Sequence, residues 1–427
     1  MPPLPPANPD EGSLRYPGWR VVAVCFVMAM FGWGFGFYGH AVYLAELQRL
    51  HGWPAGLIAS ASTAYYLAGA LLVAFVTDAI ERLGPRRFIL VGMLFLGAAT
   101  AALPLITAPW QLYVVYLVMA AGWAGLGLAS ITNVLGLWFT QKRGLAISLA
   151  LNGASCGGIV IAPLLVILIE QRGFAAAMWI ATAMMAIVLA PLVIAWAARP
   201  AADNVPLRAD QSPAADIRWS KRKALGSLRF WSVCAPFALA LVAQVGFIVH
   251  QIAFLEPLIG RGGAGLAVAV TTAMAVVGRV GLGTIIDRLD QRIASAASFA
   301  SQAAALLVMA FTDSAAVLIG ACAVYGFSVG NLITFPALIV QREFDAASFG
   351  TLIALSTAIN QFTYAFGPGL LGIVRDATGG YAASLMVCVA LEILAAVLIL
   401  IRVPPDGGAG RSQCSAEPYA EGPGRST

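Results

Sequence analysis

Apolar residues run along this chain in long unbroken stretches, separated by short polar loops. A helix needs about 20 apolar residues to cross a bilayer. The pattern predicts twelve such spans, at 19–45, 55–79, 88–107, 110–138, 144–169, 174–198, 230–256, 264–286, 293–311, 315–340, 347–373 and 381–402. The runs are continuous rather than alternating, which excludes a closed barrel; a helix, by contrast, satisfies its own backbone groups in lipid. One long polar interruption, 199–229, divides the chain into an N-terminal six-helix bundle at 17–198 and a C-terminal six-helix bundle at 230–403. Residues 1–16 and 404–427 are rich in Pro, Gly and Ser and read as disordered tails.

Composition sharpens this picture. Hydrophobic residues make up 60% of the 427 and charged residues 11%, against about 25% charged in an ordinary soluble protein. Such a chain cannot cover itself with polar surface, so a soluble enzyme, a nucleic-acid binder and a disordered protein are excluded. The six cysteines show no CxxC or CxxxH spacing, so neither a metal site nor a disulfide framework is expected. No Walker loop, HExxH or nucleophile triad is present, so no ATP-driven pump, membrane enzyme or cofactor is expected. The Pro-rich N-terminus lacks a basic n-region and does not read as a cleavable signal peptide.

Charge is informative by position. With the N-terminus placed in the cytoplasm, 20 of the 25 Lys and Arg fall on the cytoplasmic side and four, Arg49, Arg172, Arg261 and Arg375, fall outside. This bias predicts that both termini are cytoplasmic. The remaining basic residue, Arg279, lies inside a span. Arg outnumbers Lys and Ala is abundant, which fits a GC-rich bacterial genome and hence the inner membrane.

The two halves echo each other. Glu81-Arg82-Leu83-Gly84-Pro85-Arg86-Arg87 matches Asp287-Arg288-Leu289-Asp290-Gln291-Arg292 at an offset of 206. His40 and Glu46 match His250 and Glu256 at an offset of 210. Two halves of the same hand imply parallel repeats, an architecture of secondary transporters that rock around a midplane site.

The acid-Arg-x-Gly-x-Arg-Arg loop, its echo and the 6+6 layout resemble the major facilitator superfamily over residues 18–402. Gly18-Trp19-Arg20, Trp138-Phe139-Thr140-Gln141-Lys142-Arg143-Gly144, Gly278-Arg279 and Asp376-Ala377-Thr378-Gly379-Gly380-Tyr381 are similar to the monocarboxylate porter and oxalate–formate antiporter branch. Departures from that pattern are Glu81 for Asp, Thr77 for Gly, and Tyr16-Pro17 in place of the acid before Gly18. The second basic residue of the oxalate antiporters is missing from the eleventh span. The resemblance implies an all-α fold of twelve helices and alternating-access transport of a small organic anion, with proton coupling or exchange. The bilayer and a carboxylate solute are the expected partners, and a monomer the expected state. The alternatives are another solute, such as riboflavin or an amphipathic drug, or a transporter-like sensor that binds without moving solute.

Each candidate residue has a functional and a structural reading. A guanidinium at the bilayer centre costs about 2.5–3.5 kcal/mol on permissive scales and must face water, a partner or a substrate. The resemblance gives Arg279 the role of receiving a substrate carboxylate; a structural ion pair is the alternative. Asn360, Gln361 and Tyr364 of the eleventh span, and Tyr38 of the first, are expected to line the same cavity or to join helices as polar glue. His40 and His250 are candidates for carrying a proton, or else satisfied histidines beside exposed glutamates. Asp78, Glu81, Arg82, Arg86, Asp287, Arg288 and Arg292 are expected to form a cytoplasmic gate that pairs across the halves, or simply to anchor the loops. Glu392 must be neutral or hydrogen-bonded and reads as structural. Gly122, Gly125, Gly127, Gly153, Gly157 and Gly158 read as helix-packing surfaces.

Overall fold

The computed structural model describes residues 11, 13, 15–198, 219–283, 289–332, 334–344 and 348–403, and among them there is no strand. The disordered-tail expectation for 404–427, most of the central loop, and the gate residues Asp287 and Arg288 lie outside the described residues.

The chain opens with α1 (Gly18–Trp33) and α2 (Gly39–His51), joined by one π-helical turn, Gly34–Tyr38. Then come α3 (Ala55–Val73), α4 (Val76–Leu83), α5 (Pro85–Ala102), α6 (Pro109–Leu126) and α7 (Leu128–Gly136). A second π turn, Gly157–Ile161, separates α8 (Arg143–Cys156) from α9 (Ala162–Arg172), and α10 (Phe174–Trp196) follows. Past the central loop lie the short α11 (Lys221–Leu225) and the long α12 (Leu228–Gly283), the latter broken at Gly260, where φ is 74° and ψ 168°. The chain ends with α13 (Gln291–Ala310), α14 (Ala315–Val329), α15 (Phe335–Glu343), α16 (Phe349–Tyr364), α17 (Gly367–Thr378) and α18 (Tyr381–Ile399).

Among the described residues, nine helical stretches are long and apolar enough to cross a membrane. The twelve expected spans map onto the helices if α12 is divided at Gly260 and α14–α15 and α16–α17 are each taken as one broken span. Glycine alone adopts the Gly260 conformation without strain, so the polypeptide turns there without leaving a loop. Hydropathy misjudged two ends. The first span runs on to His51, where Gly52 (φ 66°) ends it, and the second stops at Val73 before α4 restarts at Val76.

Large apolar side chains face outward, as a lipid solvent requires: Phe311, Ile187 and Trp110 are 76%, 73% and 65% exposed. Helix contacts rely instead on small residues. Gly92 of α5 and Gly125 of α6 meet so closely that a Cβ on Gly92 would lie 2.7 Å from the Gly125 Cα. Helix α1 packs on α8, α5 on α6 and α10, and α12 on α14, α16 and α18. Contacts between the earlier and later helices run through α3 on α17 and through α2 and α9 on α12.

Glu11 and Tyr16 depart from the tail reading, while residues 1–10 lie outside the described residues. The Glu11 carboxylate is buried and accepts from Thr140 N (2.8 Å), Thr140 Oγ1 (3.0 Å) and Lys142 N (2.7 Å). The Tyr16 hydroxyl donates to the Trp138 carbonyl, and the rings of Tyr16 and Trp19 pack edge-on against Phe139 at 5.3 and 5.1 Å. The two motifs that carried the branch resemblance, around Gly18-Trp19 and Trp138–Lys142, thus form one cluster, with Glu11 supplying the acid absent just before Gly18. Burial alone would raise the Glu11 pKa, but the Thr140 and Lys142 donors outweigh it and hold the carboxyl below its usual range. The clamp therefore contributes stability above that range and loses it as pH falls through the depressed value.

Candidate functional site

The site forms where the two π turns meet. A Cβ on Gly34 would lie 2.7 Å from the Ile161 side chain, and one on Gly157 2.8 Å from Gly34 N. Such turns insert one residue into a helix and re-aim the side chains that follow. Tyr38 closes the first turn, and Gly158, in the second, packs on Thr272 of α12. The Tyr38 hydroxyl consequently lies beside Thr272 and within electrostatic range of the Arg279 guanidinium.

Arg279 is half-buried near the end of α12. Its Nε donates to the Gly330 carbonyl (3.2 Å) at the C-terminus of α14, where helix carbonyls lack intrahelical partners. Among the described residues it forms no ion pair with a carboxylate. The guanidinium is therefore oriented by one backbone contact while its charge has no carboxylate partner among the described residues.

An aromatic wall extends from this point. Tyr38 packs on Phe37 (5.1 Å between ring centroids), Phe37 on Tyr66 (6.3 Å), and Tyr66 edge-on against Tyr364 (5.6 Å). The structure thus links Tyr38 with Arg279 and, through Phe37 and Tyr66, with Tyr364; Tyr66 and Thr272 are residues the sequence reading missed. The Tyr65-Tyr66 pair inside an apolar span was the available signal. Asn360 is buried and accepts from Cys234 Sγ at 3.9 Å, a contact between α16 and α12 of the kind that joins helices. Gln361 is half-buried on the same helix.

The two repeat-related histidines differ. His250 has both ring nitrogens engaged, Nε2 with the Pro368 carbonyl (3.0 Å) and Nδ1 with the Tyr381 hydroxyl (3.1 Å). His40 meets Ser62 Oγ at 3.2 Å through Nδ1, and its Nε2 has no partner among the described residues. It sits in a cage of Tyr65, Tyr116, Tyr66 and Tyr43, with ring centroids 4.5, 4.8, 5.5 and 6.0 Å away. The exposed glutamate expected beside His40 is instead buried, since Glu46 is only 3% exposed, while Glu256, the counterpart for His250, is 26% exposed. Glu392 is fully buried, and neither carboxylate oxygen has a partner among the described residues.

Of the expected cytoplasmic gate, Asp78, Glu81, Arg82, Arg86 and Arg292 lie among the described residues. Asp78, Glu81, Arg82 and Arg86 are exposed at the end of α4 and start of α5. Arg292 turns away from them into the later helices. It holds Glu343 with two bonds (2.6 and 2.9 Å), the Ile399 and Ile401 carbonyls (2.8 and 2.9 Å) and Ser232 Oγ (3.0 Å). A guanidinium with five donors is best satisfied by this bidentate carboxylate and the free carbonyls at the end of α18. It therefore clamps α12, α13, α15 and α18 together rather than reaching across to the earlier helices.

Residues 22–368 match the model of the Major Facilitator Superfamily, and the chain belongs to that family. It is similar to monocarboxylate transporter 13 of Rattus norvegicus, with 26% identity over 335 residues, 76% of this chain and 74% of that one. Similarity to monocarboxylate transporter 11 of Mus musculus is 24% over 404 residues, 90% of this chain and 86% of that one. Among solved structures, a mutant form of a nucleoside transporter, NupG, superposes with a TM-score of 0.71 at 13% identity, covering 90% of this chain and 98% of that one. The protein is a multi-pass membrane transporter of the major facilitator fold and not an enzyme. Likeness to a nucleoside transporter shows that the fold leaves the solute open; the solute has to be argued from the site.

Proposed function

We propose that this transporter moves a small organic anion, a monocarboxylate, by alternating access between the bundles 17–198 and 230–403. The observation that carries the reading is Arg279, a guanidinium within electrostatic range of Tyr38 and with no carboxylate partner among the described residues. One cationic fork matches one carboxylate, and the aromatic wall of Tyr38, Tyr66 and Tyr364 offers an apolar face to the rest of a small acid. Similarity to proteins named monocarboxylate transporters supports the same solute class. The energy source in this reading is proton coupling or solute exchange. His40 is the better proton carrier of the two histidines, because the hydrogen bonds of His250 already occupy both its nitrogens. The chain works as a monomer in a bacterial inner membrane with both termini cytoplasmic.

A second reading has one observation behind it. The Arg279 Nε bond to Gly330 would also suit a purely structural residue that caps α14, with a different solute carried elsewhere. Thermal stability of the purified protein separates the two. A ligand that binds only the folded state stabilises it, by about 2.7 kcal/mol at 100 times its Kd. Small monocarboxylates should raise Tm, and their primary amides should not. Equal shifts from acids and amides would favour the structural reading.

A further inference from the structure

The glutamates of the internal repeat, Glu46 and Glu256, converge on one arginine. Arg261 reaches Glu46 Oε1 through Nη2 (2.9 Å) and Glu256 Oε1 through Nε (3.2 Å). The other Glu46 oxygen is held by Arg49 Nη2 at 2.7 Å, so this 3%-exposed carboxylate is paired on both sides. Arg261 follows Gly260, whose left-handed φ turns the chain at the break in α12. Nearby, Asp376 at the end of α17 accepts from Ala55 N (3.2 Å) and Gly56 N (2.6 Å), the first free donors of α3. Pro54 precedes that helix and offers no capping side chain, so a residue 320 positions away supplies the cap. Gly56 and Gly372 let α3 and α17 touch: a Cβ on Gly372 would lie 2.7 Å from the Gly56 Cα.

We propose that Glu46, Arg261, Glu256 and Asp376 form a latch that holds the transport pathway shut on the face where α2 ends and α3 begins. The proposal rests on the alternating-access reading but not on the identity of the solute. Both contacts join helices before residue 198 to helices after 219, so opening this face must break them. The pairing makes that break reversible. When Glu46 parts from Arg261, Arg49 stays with Glu46 on α2, and Glu256 stays with Arg261 on α12. Each side departs as a neutral pair, with no isolated charge left in a low dielectric. Asp376 likewise keeps Arg375 at 3.0 Å when it leaves α3. An open cavity of about 730 Å³, lined by Arg49, Trp53, Glu256, Arg375 and Asp376, adjoins these contacts and gives the separating pairs a wet space to move into. The repeated glutamates thus serve the moving interface, with one arginine shared between them.

The test is cysteine reactivity. Thr63 of α3 faces Gly369 of α17, where a Cβ would lie 2.9 Å from its hydroxyl, so Thr63→Cys reports separation of the two helices. Leu50→Cys, exposed beside Arg49, marks which side of a sealed vesicle carries the latch. A membrane-impermeant maleimide is applied to each side in turn. Arg261→Gln and Asp376→Asn should each raise the Thr63→Cys labelling rate from the marked face, by about tenfold, a typical coupling between conformational states. The double variant should exceed both, and Arg261→Lys should return the rate toward that of the parent. An unchanged rate in the double variant, present at parental levels, or a rise only from the unmarked face, overturns the latch. Because no solute is used, an error in the carboxylate assignment leaves this result untouched.

Discussion

Arg279→Ala is expected to give a protein that inserts and folds at parental levels but no longer binds or moves carboxylates. The structural loss is small: one hydrogen bond to the Gly330 carbonyl, about 1 kcal/mol by the usual measure, offset by a lower cost of placing the helix in lipid. The binding loss is large. A desolvated, charge-assisted contact that loses one partner costs about 2–5 kcal/mol, or roughly 30-fold to several thousand-fold in Kd. Arg279→Lys keeps the charge without the fork and should recover part of the affinity. Titration of a stabilising acid into parent, Ala and Lys proteins checks this order. An Ala protein with parental affinity would make Arg279 a cap for α14 and nothing more.

Arg292→Ala is expected to have the largest effect on stability. The parent side chain is 3% exposed and satisfies Glu343, Ser232 and the last carbonyls of α18 at once. Removing it leaves Glu343 and several buried acceptors without donors, and breaking a buried pair from one side costs about 3–5 kcal/mol. Folded proteins hold only about 5–15 kcal/mol in reserve, so a Tm lower by about 10 °C and a much reduced folded yield should follow. Glu343→Gln, which keeps one acceptor oxygen for Arg292 at a position 28% exposed and leaves the other contacts of Arg292 in place, should cost less. Near-parental melting of Arg292→Ala would mean that the clamp is incidental, and would return this arginine to the gate that its loop motif implied.

These two arginines show what a linear reading can and cannot reach. Hydropathy located the helices because lipid demands long apolar runs, and Arg279 stood out because a cation in such a run has to be accounted for. The loop motif placed Arg292 in a gate between the halves, whereas the structure binds it within the later helices. Its partner there, Glu343, is 51 residues away and is selected by how α13, α15 and α18 converge. The His–Glu echo was visible, but its meaning was not: Arg261 joins Glu46 only because Gly260 bends α12, a backbone event that hydropathy does not register. The π turns at Gly34–Tyr38 and Gly157–Ile161 look like ordinary apolar helix in sequence, yet Tyr38 at the end of the first lies within electrostatic range of Arg279. Tyr66 went unmarked because an aromatic residue in an apolar span carries no sign of the rings it will meet, Phe37 and Tyr364. Glu11 was hidden by a Pro-rich neighbourhood, although a single carboxylate was enough to anchor that segment to Thr140 and Lys142.

Uptake into sealed proteoliposomes tests the central claim most directly. Purified protein is reconstituted, loaded with an unlabelled small monocarboxylate, and exposed to a trace of the same acid in radiolabelled form, with and without an inward proton gradient. The account expects label to accumulate through exchange or along the proton gradient, with competition by other small monocarboxylates and none by their amides. It expects Arg279→Ala vesicles to match protein-free ones. Absence of accumulation by the parent across a panel of such acids, or accumulation that persists undiminished in Arg279→Ala, would contradict it.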